Sequence, residues 1–279
     1  MALQVRNNSI KELHKRLNID VFVKPIDAYS VSVPTLLSFI SRSNISDIIQ
    51  IGIIHDLIVG AIIHGWWDKC DIIYPFVGGT ATAHSQNLKS ANFTITWHGT
   101  VTHNENGITG DYSTGYGDSG YTPNASGIMG LNDLHLALYR RAEGQPYSYY
   151  IGASNAIPAT DASIYFDEVG TYVAGTLCSL LSVGKDAPVP LGWLATARIA
   201  DDITLRIYND STETIGVAGA LLIPSRTLYV LGSNSNGSLN SPSDATLCAI
   251  TAGAGITLAE SNVMASDWQA FQTSLKRQV

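Results

Sequence analysis

Charge is scarce in this 279-residue chain: Asp, Glu, Lys and Arg together make up 14% of it, against roughly 25% in an ordinary soluble domain. Ser, Thr, Asn and Gly must therefore cover most of the surface. The three cysteines, Cys70, Cys178 and Cys248, contain no close pair. That excludes a zinc knuckle or a disulfide framework and fits free thiols in a protein assembled in a reducing cytoplasm. No secretory apolar region opens the sequence, so no export signal is read. The longest apolar stretch, Ile45 to Ile63, is interrupted by Asp47, Gln50, His55 and Asp56. Four such groups are costly in hydrocarbon, so the stretch is read as a buried amphipathic helix and no membrane span is expected.

Clustered basic residues are also missing. A net charge of −7 argues against a nucleic-acid partner, because neutralising phosphates needs Lys and Arg in groups. The sign is uneven, however. Residues 1 to 25 carry Arg6, Lys11, Lys15, Arg16 and Lys24 against Glu12 and Asp20, a net of +3, which leaves −10 for the rest. This pattern suits either a docking arm or a solvated basic helix face.

What is abundant is Gly, with 25 residues, and Tyr, with 13, a composition suited to many short strands joined by tight turns. Helical signals crowd the first quarter. Ile10 to Leu17 reads as a short amphipathic helix with Leu13 and Leu17 on one side. A second helix is expected to begin near Pro34, a residue suited to the first helical position, and to stop around Ser41 to Ser43. A third is expected from about Ser46 to His64, mostly buried, with Asn44 or Ser46 as its cap.

From Asp71 onward the pattern turns to strands: Phe93 to Trp97, Leu134 to Tyr139, Tyr149 to Ile151, Ser163 to Phe166, Tyr172 to Leu177, Leu191 to Arg198, Ile203 to Asn209, Thr227 to Leu231 and Ala245 to Ile250. Their recurrence without intervening helices predicts an antiparallel sandwich. A last helix is expected over Ser261 to Lys276, and Gly232 to Ser243 reads as a long exposed loop. The fold class is thus mainly β, an antiparallel β-sandwich with an N-terminal helical segment and a C-terminal helix. The division is an arm at 1–30, a helical segment at 31–70 and the sandwich at 71–279.

The motifs do not assemble into a catalytic site. Ala83-His84-Ser85 and Gly117-Asp118-Ser119-Gly120 echo a serine protease, but only 35 residues separate His84 from Ser119, too few for the rest of a barrel, and Tyr121 replaces the expected second glycine. Asp167-Glu168 is the only adjacent acidic pair after a strand, and neighbouring strand residues point to opposite faces; a solvated strand end is expected there, not a glycosidase pair. The seven histidines form no ligand pair with helical spacing, and His98 and His103 would share a sheet face only by accident of the turn between them. The loop Asp111 to Asp118 offers oxygens to calcium without the alternating acidic pattern of an EF-hand. Gly78-Gly79 and Gly253-Ala254-Gly255 match no phosphate cradle. No catalytic, cofactor-binding or metal-binding residue is assigned.

One combination is distinctive. Trp67-Asp68-Lys69, Ile73-Tyr74-Pro75-Phe76-Val77-Gly78-Gly79-Thr80 and Asn87-Leu88-Lys89 are followed by Gly99 to His103, Asn106-Gly107, Gly115 to Asp118 and Leu134 to Arg140, and the chain ends Phe271-Gln272-Thr273-Ser274-Leu275-Lys276-Arg277-Gln278-Val279. From about residue 35 to the end this resembles a group of structural proteins of tailed bacteriophages. Lys276 stands where that group has glycine, and the first 30 residues match none of it. The resemblance implies a concanavalin- or laminin-G-like jelly roll and a place in the virion. The implied role is a non-enzymatic tail, fibre or capsid-decorating component, a homo-oligomer in contact with other virion proteins. The alternative is a carbohydrate-binding receptor module for a host-surface glycan, with Tyr112, Tyr116, Tyr121, Tyr147, Tyr149 and Tyr150 as stacking candidates.

Overall fold

A computed structural model describes residues 26–279 apart from 126, 157–158, 168–171, 180–181, 187–189, 201, 208–211 and 218. The expected helix at Ile10 to Leu17 and Glu168 lie outside the described residues.

Three layers are stacked: helices, then an eight-stranded sheet, then a nine-stranded sheet. The first sheet runs β13 (Thr212–Val217), β12 (Asp202–Ile207), β11 (Gly192–Arg198), β6 (Leu134–Ala142), β17 (Thr246–Gly253), β4 (Gly107–Thr109), β3 (Thr102–Asn104), with β1 (Cys70–Tyr74) also paired to β17. The second runs β10 (Val183–Asp186), β9 (Tyr172–Ser179), β8 (Ala159–Phe166), β7 (Ser148–Ala156), β14 (Tyr229–Val230), β5 (Tyr116–Asp118), β2 (Thr96–His98). The hairpin β15 (Ser233–Ser235) and β16 (Ser238–Asn240) joins β7, in the one parallel pairing among the described strands. The expected sandwich is therefore present, with helices at its N- and C-terminal ends.

The central strands explain how the layers hold. In β6, Leu134, Leu136 and Leu138 face the second sheet, while Ala137 and Tyr139 face the helices. In β11, Leu194 points inward, and Trp193, Ala195 and Ala197 point to the helical layer. A sheet buried on both faces carries near-continuous apolar runs, as these strands do. Alanines on the helical side let α4 (Leu258–Ser274) come close, and its Trp268 packs between Trp66 and Trp193, each 6.2 Å away by ring centroid.

Several boundaries differ from the sequence reading. Helix α1 spans Ile26–Ser43 and carries Pro34 inside it; burial of Leu36 and Phe39 against α2 outweighs the one backbone bond proline forfeits. It stops at Asn44, whose φ of 58° is left-handed. Helix α2 spans Ile48–Ile63, and its cap is Asp47, which accepts from the Ile49 amide at 2.9 Å. It is less buried than expected: Ile48, Ile49 and Ile63 are exposed, Ile49 to 68%.

A short helix, α3 (Ala81–His84), was not foreseen. Phe93 has φ 62° and stands outside β2, and Leu231, with φ 62°, ends β14 after two residues. The expected loop Gly232 to Ser243 contains the β15–β16 hairpin, with Ser233, Asn234 and Ser243 buried. Asn234 supplies its own lattice there, donating to the Thr227 carbonyl and accepting from Gly237, so no apolar alternation marked it. Asp167 is buried, not solvated.

The motif residues at the chain's end meet in one place. Arg277 is 2% exposed and donates to the carbonyls of Pro75, Phe76, Glu105 and Cys248 and to Gln272 Oε1. Arg277→Ala should strip five buried acceptors of their partner and cost about 3–5 kcal/mol, and Arg277→Lys should recover little of it, since an ammonium cannot reproduce the planar fork. Urea unfolding of both variants checks this.

Candidate functional site

The residues singled out for chemistry are held by the fold's own hydrogen bonds. Ser119 Oγ donates to the Leu228 carbonyl at 2.7 Å and accepts from the Tyr121 amide. His84 Nδ1 lies 3.1 Å from His103 Nδ1, so one ring must donate and the other accept. Burial, followed by the His103 and Arg277 charges, pushes His84 down to about 3, and burial also lowers His103. Both rings are neutral near pH 7. The protease echo therefore brings no histidine to Ser119.

Burial alone would raise the Asp111 carboxyl, but it accepts from the amides of Gly115, Thr114 and Ser113 and from the Thr114 hydroxyl, and together these hold its pKa well below the carboxylate range. Its oxygens thus brace their own turn instead of facing a shared calcium site. Among the described residues no three His, Cys, Asp or Glu side chains are grouped to hold a metal. His98 and His103 lie in different sheets, on β2 and β3.

The six tyrosines separate into core and surface. Tyr121 and Tyr150 are fully buried: Tyr121 donates to Asp71 Oδ2, and Tyr150 shares Glu143 with Arg140. They are packing residues. Tyr147 and Tyr112 are 55% and 41% exposed, and Tyr116 and Tyr149 are half-buried.

The surface tyrosines converge on the outer face of the nine-stranded sheet. Ala162, Ile164 and Phe166 of β8 point into the sandwich core, so Asp161, Ser163 and Tyr165 point away from it. Opposite them on β7 stand Ser154, Gly152 and Tyr149. Tyr149 and Tyr165 form a cross-strand ring pair at 5.1 Å. Register carries the same face outward through Tyr229, opposite Gly152 and Asp118, to Tyr116, opposite His98. His98 stacks on Tyr116 at 4.6 Å and 13°, and Tyr116 meets Tyr229 at 4.5 Å.

Small buried residues, Gly152, Ser163 and Thr176, run side by side across β7, β8 and β9. Tyr149 and Tyr165 flank this row at one end; Asp161 and Ser154 flank it at the other. Asp161 Oδ2 accepts from Ser163 Oγ at 2.9 Å, and its Oδ1 is shut from solvent. Burial pushes the Asp161 carboxyl up to about 7. Burial also raises the Tyr149 phenol, and the nearby Asp161 charge adds to that shift.

Sequence reasoning found Tyr116 and Tyr149 but not Tyr165, Tyr229, His98 as a stacking ring, or Asp161. The alternation of Asp161, Ser163 and Tyr165 with Ala162 and Ile164 was the available signal for the last face.

No family model matches the chain, and no curated protein matches it. Solved structures with similar folds include domain 4 of an extracellular arabinanase from Geobacillus stearothermophilus in complex with arabinotriose, at 10% identity over 71% of this chain and 98% of that one, TM-score 0.46. A mutant Trypanosoma rangeli sialidase with trans-sialidase activity aligns at 9% identity over 78% of this chain and 39% of that one, TM-score 0.46. Domains LG4-5 of the mouse laminin α1 chain align at 14% identity over 43% and 34%, TM-score 0.33. The chain thus spans about a third of the laminin pair and two-fifths of the sialidase.

The raised Asp161 pKa makes a stability prediction. The folded state holds this proton more tightly than the unfolded chain, so the contribution is complete below the ordinary carboxylate pKa and falls as pH rises to about 7, then levels. At about 1.4 kcal/mol per pKa unit, the loss is on the order of 4 kcal/mol. Asp161→Asn should remove it, so the variant's stability advantage over wild type should grow between pH 4.5 and 7 and stay flat above. Urea unfolding of the pair across that range measures the difference, in which other titrating groups cancel; no growth would refute the buried-carboxyl assignment.

Proposed function

We propose that the protein is a non-enzymatic component of a bacteriophage particle whose nine-stranded sheet binds a host-surface glycan across its outer face. The observation that carries the binding part is the arrangement at β7 and β8: a tyrosine pair and a carboxylate at opposite ends of a floor of Gly, Ser and Thr. A sugar ring presents C–H groups on its faces and hydroxyls on its edge. Tyrosine rings take the first, and phenols, hydroxyls and a carboxylate take the second. The Asp161 carboxyl, whose Oδ2 accepts from Ser163 Oγ, offers an acceptor to a ligand hydroxyl once the flanking side chains part.

The particle assignment rests on the resemblance of residues 35 to 279. In tail, fibre or decoration roles the chain would be present in symmetric copies, which suits a homo-oligomer. A non-enzymatic role agrees with the engagement of His84, Ser119 and Asp111 in internal bonds.

A glycan array built on host envelope and capsular sugars tests the binding. Tyr165→Ala and Tyr149→Ala should each weaken the retained ligand about tenfold, in the range of a lost aromatic contact, while Tyr112→Ala, whose hydroxyl bonds the Pro146 carbonyl, should not. An array without signal, or a signal indifferent to both ring deletions, would remove the glycan reading. Tracing the chain in a cryo-electron-microscopy map of the intact particle tests the location: a chain absent from the virion overturns that half of the proposal independently.

A further inference from the structure

Two histidines meet at the corner where the chain passes from one sheet to the other. Strand β2 belongs to the nine-stranded sheet and β3 to the eight-stranded one, with only residues 99–101 between them. His103 of β3 packs edge-on against the Trp97 ring of β2, 4.7 Å between centroids. The short helix α3 is tied to this corner at three points. Trp97 Nε1 donates to the Ala81 carbonyl at 3.0 Å, the Ile95 amide donates to the Ser85 carbonyl at 2.9 Å, and His84 Nδ1 lies 3.1 Å from His103 Nδ1.

The ring-to-ring bond requires one bare nitrogen. With both rings neutral, one Nδ1 donates and the other accepts. One added proton is compatible with the bond if it sits on His103, which is half-buried and can donate through Nδ1 to His84. A proton on both rings sets two N–H groups against each other at the same 3.1 Å. His84 is the ring that resists: it is 1% exposed, the Phe76 ring meets it edge-on, and its Nε2 is shut from solvent with no acceptor among the described residues. Burial first, then the His103 and Arg277 charges, favours its neutral form. Burial does the same for His103, and among the described residues no carboxylate charge relieves either ring. His98, on the same strand as Trp97, stacks on Tyr116 and takes no part.

We propose that the His84–His103 pair is an acid-sensitive latch, which holds α3 on the β2–β3 corner until both rings are protonated and then releases helix and corner together while the rest of the sandwich stays folded. Opening gives His84 back to water. Its pKa then returns from about 3 to the ordinary 6.5, so the stability of the closed corner is complete above pH 6.5 and is lost as pH falls toward 3. Each proton taken up on opening multiplies the open fraction about tenfold per pH unit. His84 alone should therefore open the corner roughly a hundredfold more often at pH 4.5 than at pH 7.5.

Hydrogen exchange of the full chain, read by mass spectrometry and divided by the intrinsic rate at each pH, tests this. Protection of peptides covering 81–85 and 95–104 should fall about a hundredfold between pH 7.5 and 4.5, while peptides from β6 keep theirs. In His84→Gln, whose amide can still bond His103 but takes no proton, that fall should shrink at least tenfold. An equal fall in wild type and variant would overturn the latch, and so would a loss of protection in β6 that keeps step with the corner. The wild type also gives a check that needs no variant: the His84 Cε1–H resonance of the folded protein should show no protonation down to pH 4.5, and a titration near 6.5 would refute the proposal.

Discussion

Arg277 ties the C-terminal helix to the eight-stranded sheet, and the packing between them depends on it. It leaves the end of α4, and its guanidinium reaches carbonyls from three separate parts of the chain: Pro75 and Phe76 after β1, Glu105 in the β3–β4 turn, and Cys248 in β17. Among the described residues no carboxylate pairs with it; burial lowers its pKa to about 10, still charged at neutral pH. A buried cation without a counter-ion is tolerated only when every donor is satisfied by strong dipoles. Four carbonyls and the Gln272 amide oxygen do this. The geometry also fixes the register of α4, because Gln272 and Arg277 must face the same site, and Trp268 is thereby set between Trp66 and Trp193.

A second polar knot forms on the same segment, a few residues before Pro75. Asn87 Oδ1 accepts from the Ile73 and Lys89 amides, and its Nδ2 donates to the Asp71 and Asn92 carbonyls. Lys89 donates to the Trp67 carbonyl and places its ammonium 4.5 Å from the Trp67 ring. Both knots use few charged residues and many backbone acceptors, which is how a chain with 14% charged residues can bury polar groups without networks of ion pairs. Three segments make these knots, Asn87-Leu88-Lys89, Tyr74-Pro75-Phe76 and the stretch from Phe271 to Val279, and their polar side chains are spent on bonds within the fold.

The legibility of the sequence follows the physics of each element. Strands β6, β11 and β17 were readable because the sheet between two packed layers must be apolar on both sides. Pro34 misplaced the start of α1, because tertiary burial overrode a local preference. The Gly232 to Ser243 hairpin was unreadable because its order comes from Asn234 and serine hydrogen bonds, which resemble a solvated loop in one dimension. The Thr257–Glu260 capping box of α4 was present in sequence as a spacing of three and was missed, since the apolar pattern begins only at Val263. The candidate site was half legible. Tyr149 and Tyr116 drew notice as tyrosines, but their partners Tyr165 and Tyr229 come from strands distant in sequence, and only cross-strand register brings them together.

The location of that site follows from what the rest of the protein has already used. The eight-stranded sheet gives one face to the sandwich core and the other to α1, α2 and α4, so its central strands have no surface left for a ligand. The nine-stranded sheet packs its inner face on the core, and on its outer face Ser163 and Thr176 are buried too, with the Ser233 side chain against Gly152. Half-buried tyrosines with small hydroxyl residues between them keep that outer face from being a bare apolar surface prone to aggregation. The same face holds Asp161, whose Oδ2 accepts from Ser163 Oγ and whose carboxyl burial pushes up to about 7. Burial holds that carboxyl at a cost in stability when it is ionised, and the cost falls away as pH drops and the proton is bound.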